Sequence, residues 1–153
     1  TCPDFSLASA FLLNIGPAPD GSVPPQAYDR LLPVGRWLAT YGKAVYGAVD
    51  RIDGRLDGWL NHGFWTLKGN TAYYWTGRWV GSEIAIGGLK TKVRRIRVVS
   101  SGQKVAFEQG KDRLVMRGLP ERCPDQIAGW AMLEVEFEKT PRQVLGAGCV
   151  VIS

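Results

Sequence analysis

Carboxylates are the first place to look for chemistry in this chain, because two held close together can divide acid, base and nucleophile roles between them. Asp20, Asp53, Asp57, Asp112 and Asp125 stand among turn-forming residues, and Asp29 falls in a helical pattern. Glu134, Glu136 and Glu138 alternate with apolar residues, which predicts the wet face of a strand. Acids scattered in this way predict no self-sufficient catalytic pair. His62, the one histidine, lies between Asn61 and Gly63 and predicts a surface loop. Ser9, Ser22 and the three cysteines (Cys2, Cys123 and Cys149) have no histidine at a suggestive position, so acyl transfer has no support. None of the cysteines has a neighbour at metal-ligand spacing, and no zinc site is expected. Small buried or surface thiols are the expectation, with one disulfide left open for an oxidising compartment.

Six tryptophans are the strongest remaining signal, and Trp59, Trp65, Trp75, Trp79 and Trp130 all fall after residue 50. Exposed aromatic rings stack on sugar faces, so a carbohydrate-binding module is one reading. Trp75 and Trp130 lie within or beside strand patterns and are expected to fill the core. Trp59 and Trp79, in glycine-bearing loops, are the candidates for exposure, although core or interdomain packing is the favoured reading for them too.

The composition narrows the classes. Of 153 residues, 45% are hydrophobic and 22% charged, which suits one ordinary core and argues against disorder. No run of about 18 apolar residues predicts a membrane span. The apolar stretch 7–15 has no basic residues before it and runs into a Gly-Pro turn, so it does not read as a signal peptide. The net charge of +5 gathers at Lys90, Lys92, Arg94, Arg95 and Arg97. Val93, Ile96 and Val98 interrupt that stripe, as on a half-buried strand, and no aromatics interleave it. A solvated strand face is expected there, not nucleic-acid binding.

The elements that must position these residues divide near residue 50. Residues 11–15 form a continuous apolar run, which predicts a strand buried on both faces. Gly16 to Gly21 must be a loop, with Asp20-Gly21 supplying a turn whose glycine has positive φ. Pro24-Pro25 then opens a helix over 26–41, with Leu31, Val34, Leu38 and Tyr41 on one face and Gly42 ending it. Pro33 is expected to kink or split that helix. One βα unit cannot bury itself, so Phe11, Leu12, Leu13 and Ile15 await sheet neighbours from elsewhere. Later the period falls to two. Strands are expected over 64–67, 71–76, 82–87, 93–99, 104–109, 113–117 and 131–138, with turns between them, and seven or eight such strands read as an antiparallel β-sandwich. Residues 140–153 have no evident partner strand and are expected to be a tail.

One set of residues resembles a known family. Leu12-Leu13-Asn14-Ile15-Gly16-Pro17, Asp20-Gly21, Gly35-x-Trp37-Leu38, Gly42 and Tyr46-Gly47 are similar in order and spacing to the last strand and helix of the barrel in family 29 glycoside hydrolases, the α-L-fucosidases. Phe64 to Tyr73 resembles the opening strand pair of that family's C-terminal β-domain, and Val105 to Gln109 and Arg113 to Leu119 resemble later strands. The departures are Ala8-Ser9-Ala10-Phe11, where a Gly-Asn pair is usual, and Tyr41-Gly42-Lys43, where Asn-Gly-Glu is usual. The first suggests a truncation or spliced boundary near residue 10; the second puts in doubt any ion pair the acid would make.

The resemblance implies a mainly β architecture: a strand-loop-helix over 1–47 left from a (β/α)8 barrel, a β-sandwich over 48–139 and the tail. It also implies that the full enzyme removes terminal α-L-fucose from fucosylated glycans with retention. No cofactor, metal or membrane is involved, and the setting is secreted, lysosomal or periplasmic. The catalytic carboxylates, the nucleophile an aspartate, would come from earlier barrel strands, so this chain is expected to supply none. Asn14, at the end of a barrel-like strand, could reach the substrate cavity; a bond to the adjacent loop backbone is the plainer reading. No oligomeric state is implied. The alternatives are a free-standing carbohydrate-binding sandwich, in which Trp59 and Trp79 would bind, and a fragment with no function of its own.

Overall fold

The computed structural model describes residues 13–46 and 63–144. Seven strands form two antiparallel sheets. One has the order β1-β2-β7-β4, from Phe64–Lys68 (β1), Thr71–Thr76 (β2), Ala131–Phe137 (β7) and Val93–Val98 (β4). The other has the order β3-β6-β5, from Glu83–Gly87 (β3), Arg113–Arg117 (β6) and Ala106–Gln109 (β5). The expected sandwich is therefore present, and strand ends shift by no more than two residues.

Alternation decides which side chains meet between the sheets. Leu133, Val135 and Phe137 of β7 join Trp65, Leu67, Tyr74, Ile96 and Val98 from the same sheet and Ile84, Ile86, Leu114 and Met116 from the other. Lys68 pairs with Thr71, so Gly69-Asn70 is a two-residue hairpin loop, and Gly69 takes φ of 60°. Glycine at the first loop position lets such a turn follow the twist of the strands. The strand run ending at β4 crosses to the second sheet through the Ser101-Gly102 turn, where the amides of Val98 and Val105 donate to the carbonyls of Gln103 and Ile96.

Several expectations need correction. Leu13, Asn14 and Ile15 form no strand, because the described residues offer them no neighbouring strand; Leu13 is exposed. The helix α1 runs unbroken over Pro25–Tyr41 despite Pro33. Residues 28–30 and 32 are exposed, so water can serve the Asp29 carbonyl that loses its intrahelical donor. Gly42 is right-handed (φ −58°) and continues into a 3-10 turn, η1, over Gly42–Ala44. The Tyr46 ring packs over this glycine, its Cε2 2.7 Å from where a Cβ would sit, so a larger residue there would displace that exposed ring. Residues 140–144 are not a free tail. The amides of Lys90 and Val144 donate to the carbonyls of Arg142 and Gly88, and the Gln143 amide caps the Gly87 carbonyl at 2.7 Å. The rest of the expected tail, 145–153, lies outside the described residues.

Candidate functional site

The four-stranded sheet is buried on its outer face as well, and this is where helix and sandwich join. Phe64 and Thr66 of β1, Tyr73 and Trp75 of β2, and Met132 and Glu134 of β7 point outward beneath the C-terminal end of α1 and η1. Phe64 lies directly opposite Trp75, and their rings stack at 5.5 Å and 9°. Trp37 reaches down from the helix to within 5.8 Å of the Trp75 ring and 5.0 Å of Tyr41 one turn later. Trp130 closes the same cluster against Phe64 at 5.9 Å. Trp37 therefore presses its helix onto this sandwich.

Asp125 ties the far side of the seam. Its carboxylate accepts the backbone N–H groups of Ile127, Ala128 and Trp130 at 3.0–3.1 Å and the Trp37 indole N–H at 3.2 Å. A turn-forming acid thus doubles as an anchor for the helix. Asp125→Asn keeps the shape but replaces one acceptor oxygen with a donor, and one oxygen cannot serve both sets. A loss of about 1–2 kcal/mol is expected, from donors left unpaired around the buried Asp125 side chain, and urea unfolding of the two proteins measures it.

The charges form a ladder on the same face. Arg97 and Arg95 of β4 sit opposite Glu134 and Glu136 of β7 and bond them at 2.7 and 2.6 Å. Lys43, from η1, bonds the other Glu134 oxygen. Glu134 is thus buried between two cations rather than wet, which corrects the strand-face expectation for this residue. Lys43, which stands where the family usually has an acid, finds an ion pair of its own. Burial alone would push the Glu134 carboxyl up, but its bonds to Lys43 and Arg97 and their charges outweigh this and hold it below the usual carboxylate range. Asp20 is also held low, by the Ser22 hydroxyl and amide, and Gly21 beside it has φ of 82°. Both shifts run opposite to the raised pKa a general acid needs. Glu83 and Glu108 share one cation, Arg117, which bonds them at 2.8 and 3.2 Å.

The remaining sequence candidates separate. Asn14 is exposed and belongs to no strand among the described residues. Trp79 is half-buried against the inner core, and its indole N–H donates to the Pro120 carbonyl at 2.7 Å. Trp59, His62, Asp53, Asp57, Cys2 and Cys149 lie outside the described residues. Cys123 is a half-buried free thiol. Trp75 fills a core as expected. The two-sided burial of the sheet was missed in the sequence, although Tyr73-Tyr74-Trp75 and Phe64-Trp65 place consecutive aromatics on both faces and could have signalled it. No helix among the described residues is long and apolar enough to cross a membrane.

Comparison with known proteins identifies the relatives. A family model for alpha-L-fucosidase matches residues 4–43, so the likeness extends upstream of the boundary expected near residue 10. The chain is 49% identical over 144 residues to the tissue alpha-L-fucosidase of Mus musculus, a stretch covering 88% of this chain and 29% of that protein. With the human tissue alpha-L-fucosidase it shares 49% identity over 125 residues, covering 80% and 26%. Its fold is similar to alpha-L-fucosidase isoenzyme 1 from Paenibacillus thiaminolyticus, with a TM-score of 0.69 at 27% identity, covering 84% of this chain and 30% of that one. The Thermotoga maritima alpha-fucosidase gives a TM-score of 0.63 at 27% identity, covering 82% and 30%. The chain spans less than a third of each of these relatives.

Proposed function

We propose, from the premise that the chain belongs to the α-L-fucosidase family as its C-terminal part, that it is the closing helix and supporting β-sandwich of a retaining fucosidase and is inactive by itself. In the whole enzyme, water would replace the aglycone of a terminal α-L-fucose, using two carboxyl groups about 5 Å apart. Both would come from barrel strands outside this chain. A secretory or lysosomal setting follows from the same premise.

The observation that carries this reading is the asymmetry of α1. Its C-terminal end is fastened to the sandwich by Trp37 and Tyr41 and, through η1, by Lys43, while Tyr28, Leu32 and Val34 remain 53%, 51% and 45% exposed. Apolar side chains left bare on one helix, together with Leu13, suit burial against a barrel wall. The sandwich would then hold that helix in place and, through it, the rim of the barrel.

Hydrolysis of an aryl α-L-fucoside is the test. The chain alone is expected to give no turnover, and a relative whose corresponding part is replaced by this chain is expected to keep its activity. Turnover by the isolated chain would overturn the assignment of catalysis to residues elsewhere. A well-folded but inactive chimera would overturn the supporting role.

A further inference from the structure

The cations around β4 differ in how firmly they are paired, and Arg94 on its exposed face has no ion pair among the described residues. Arg95 and Arg97 are saturated by Glu136 and Glu134 at short range. Lys90 and Lys92 reach Asp112 and Glu138 only at 3.5 and 3.6 Å, between groups that are themselves largely exposed. Pairs of that sort contribute about 0–1 kcal/mol and exchange readily for another anion. Lys111 makes no ion pair among the described residues. These three lysines border an open groove where the edges of the two sheets part, and Leu89, Val93 and Phe107 line it with them.

The groove is held rigidly. Gln109 accepts from the Val93 amide and donates to the Thr91 carbonyl, bridging the β5 edge to the β4 edge. The Gly88 and Gly110 amides donate to the carbonyls of Asp112 and Arg113, and Arg142 accepts from the Lys90 amide. Gln109 is thereby used up in structure, which leaves for a ligand the ammonium group of Lys111 and those of Lys90 and Lys92, held by their carboxylates only at 3.5 and 3.6 Å. Apolar side chains, one of them aromatic, bordered by unsaturated cations suit a ring with an apolar face and an anionic substituent. We propose that this groove binds an anionic sugar, one carrying an ester sulfate or a carboxylate, with the charge on Lys92 and Lys111 and the ring against Phe107. A lone aromatic favours this over a nucleic acid, which uses a succession of stacking rings. The sugar part of the assignment rests on the family reading; the anion rests on the groove alone.

Binding of the whole chain to three oligosaccharides, by calorimetry at low and physiological salt, tests it: a sulfated fucose oligosaccharide, its desulfated form and a uronic-acid oligosaccharide. At least one charged form is expected to bind tenfold or more tightly than the neutral one and to weaken with salt, and the tighter of the two names the anion. Lys92→Gln with Lys111→Gln should abolish that preference while the thermal midpoint holds. Arg94→Gln, an exposed change on the same strand outside the groove, should leave it intact. An undiminished preference in the double variant would overturn the proposal, as would an equal loss in Arg94→Gln. So would equally tight binding of a single-stranded oligothymidylate. Fucoside turnover is not read in this assay, so its failure and that of the barrel-supporting role are distinct.

Discussion

Replacing Trp75 by alanine is expected to lower the unfolding free energy by about 3–5 kcal/mol, the range for truncating a buried aromatic. Trp75 is 2% exposed on the second of four strands, so the sheet surrounds it on both sides. Its ring lies between Phe64 and Trp37, and its N–H donates to the Thr66 hydroxyl at 2.8 Å. Truncation leaves a cavity, an unpaired buried hydroxyl and a helix without its main contact. Because the cavity opens at the seam, α1 should also become sensitive to protease at concentrations where the sandwich survives. Chemical denaturation with intrinsic fluorescence measures the first effect and limited proteolysis the second. Trp130→Ala is the comparison, with a smaller loss expected because Trp130 is only half-buried. A Trp37→Ala/Trp75→Ala cycle should show coupling of about 0.5–1.5 kcal/mol. Strict additivity would mean the rings do not act together.

The second large effect is at Glu134. Its carboxylate faces Lys43 on one oxygen and Arg97 on the other. Glutamine keeps the volume but leaves two cations facing a neutral group, and about 2–3 kcal/mol is expected to be lost at neutral pH. The figure stays below that of a fully buried pair because Lys43 and Arg97 are partly solvated. The pH dependence has a fixed sign. The folded carboxyl titrates below the unfolded value of about 4.3, so the stabilisation is complete above that pH. As pH falls toward the lower folded value, the unfolded chain takes up the proton first and the contribution is lost. Wild-type stability should therefore fall on acidification below about pH 4.5 by more than that of Glu134→Gln, and the two curves should converge. Parallel curves from pH 7 to pH 3 would show that the pair contributes nothing to folding.

Much of the fold could be read directly. The β7 alternation of Leu133, Val135 and Phe137 with Glu134 and Glu136 fixed both the strand and its inner face, because a period of two admits only one orientation once one face is apolar. Asp20-Gly21 marked its turn for a local reason, since glycine alone visits positive φ without cost. The same local logic failed at Pro33 and Gly42. Proline ends a helix only where its freed carbonyl is costly, and here that carbonyl is on an exposed surface. Gly42 does end α1, but in a right-handed turn under the Tyr46 ring and not at the positive φ that makes glycine a common terminator. Glu134 looked solvated because the residues that bury it, from η1 and β4, come from distant parts of the chain.

Apolar patterning, breakers and short motifs by themselves determined the strand set, the helix α1 and the likeness of residues 12–47 to one glycosidase family. Those signals act over a few residues and need no partner to be legible. Only the tertiary structure decided that the outer face of the four-stranded sheet is a second packed surface, that Asp125 anchors Trp37 across 88 positions, and that Lys43 compensates its own departure from the family by pairing with Glu134. It also divided one basic stripe into Arg95 and Arg97, each paired at short range, and lysines held only loosely. The physical reason is the same throughout: the solvation of a charge or ring is set by what the fold brings beside it, and no spacing along the chain encodes that neighbour.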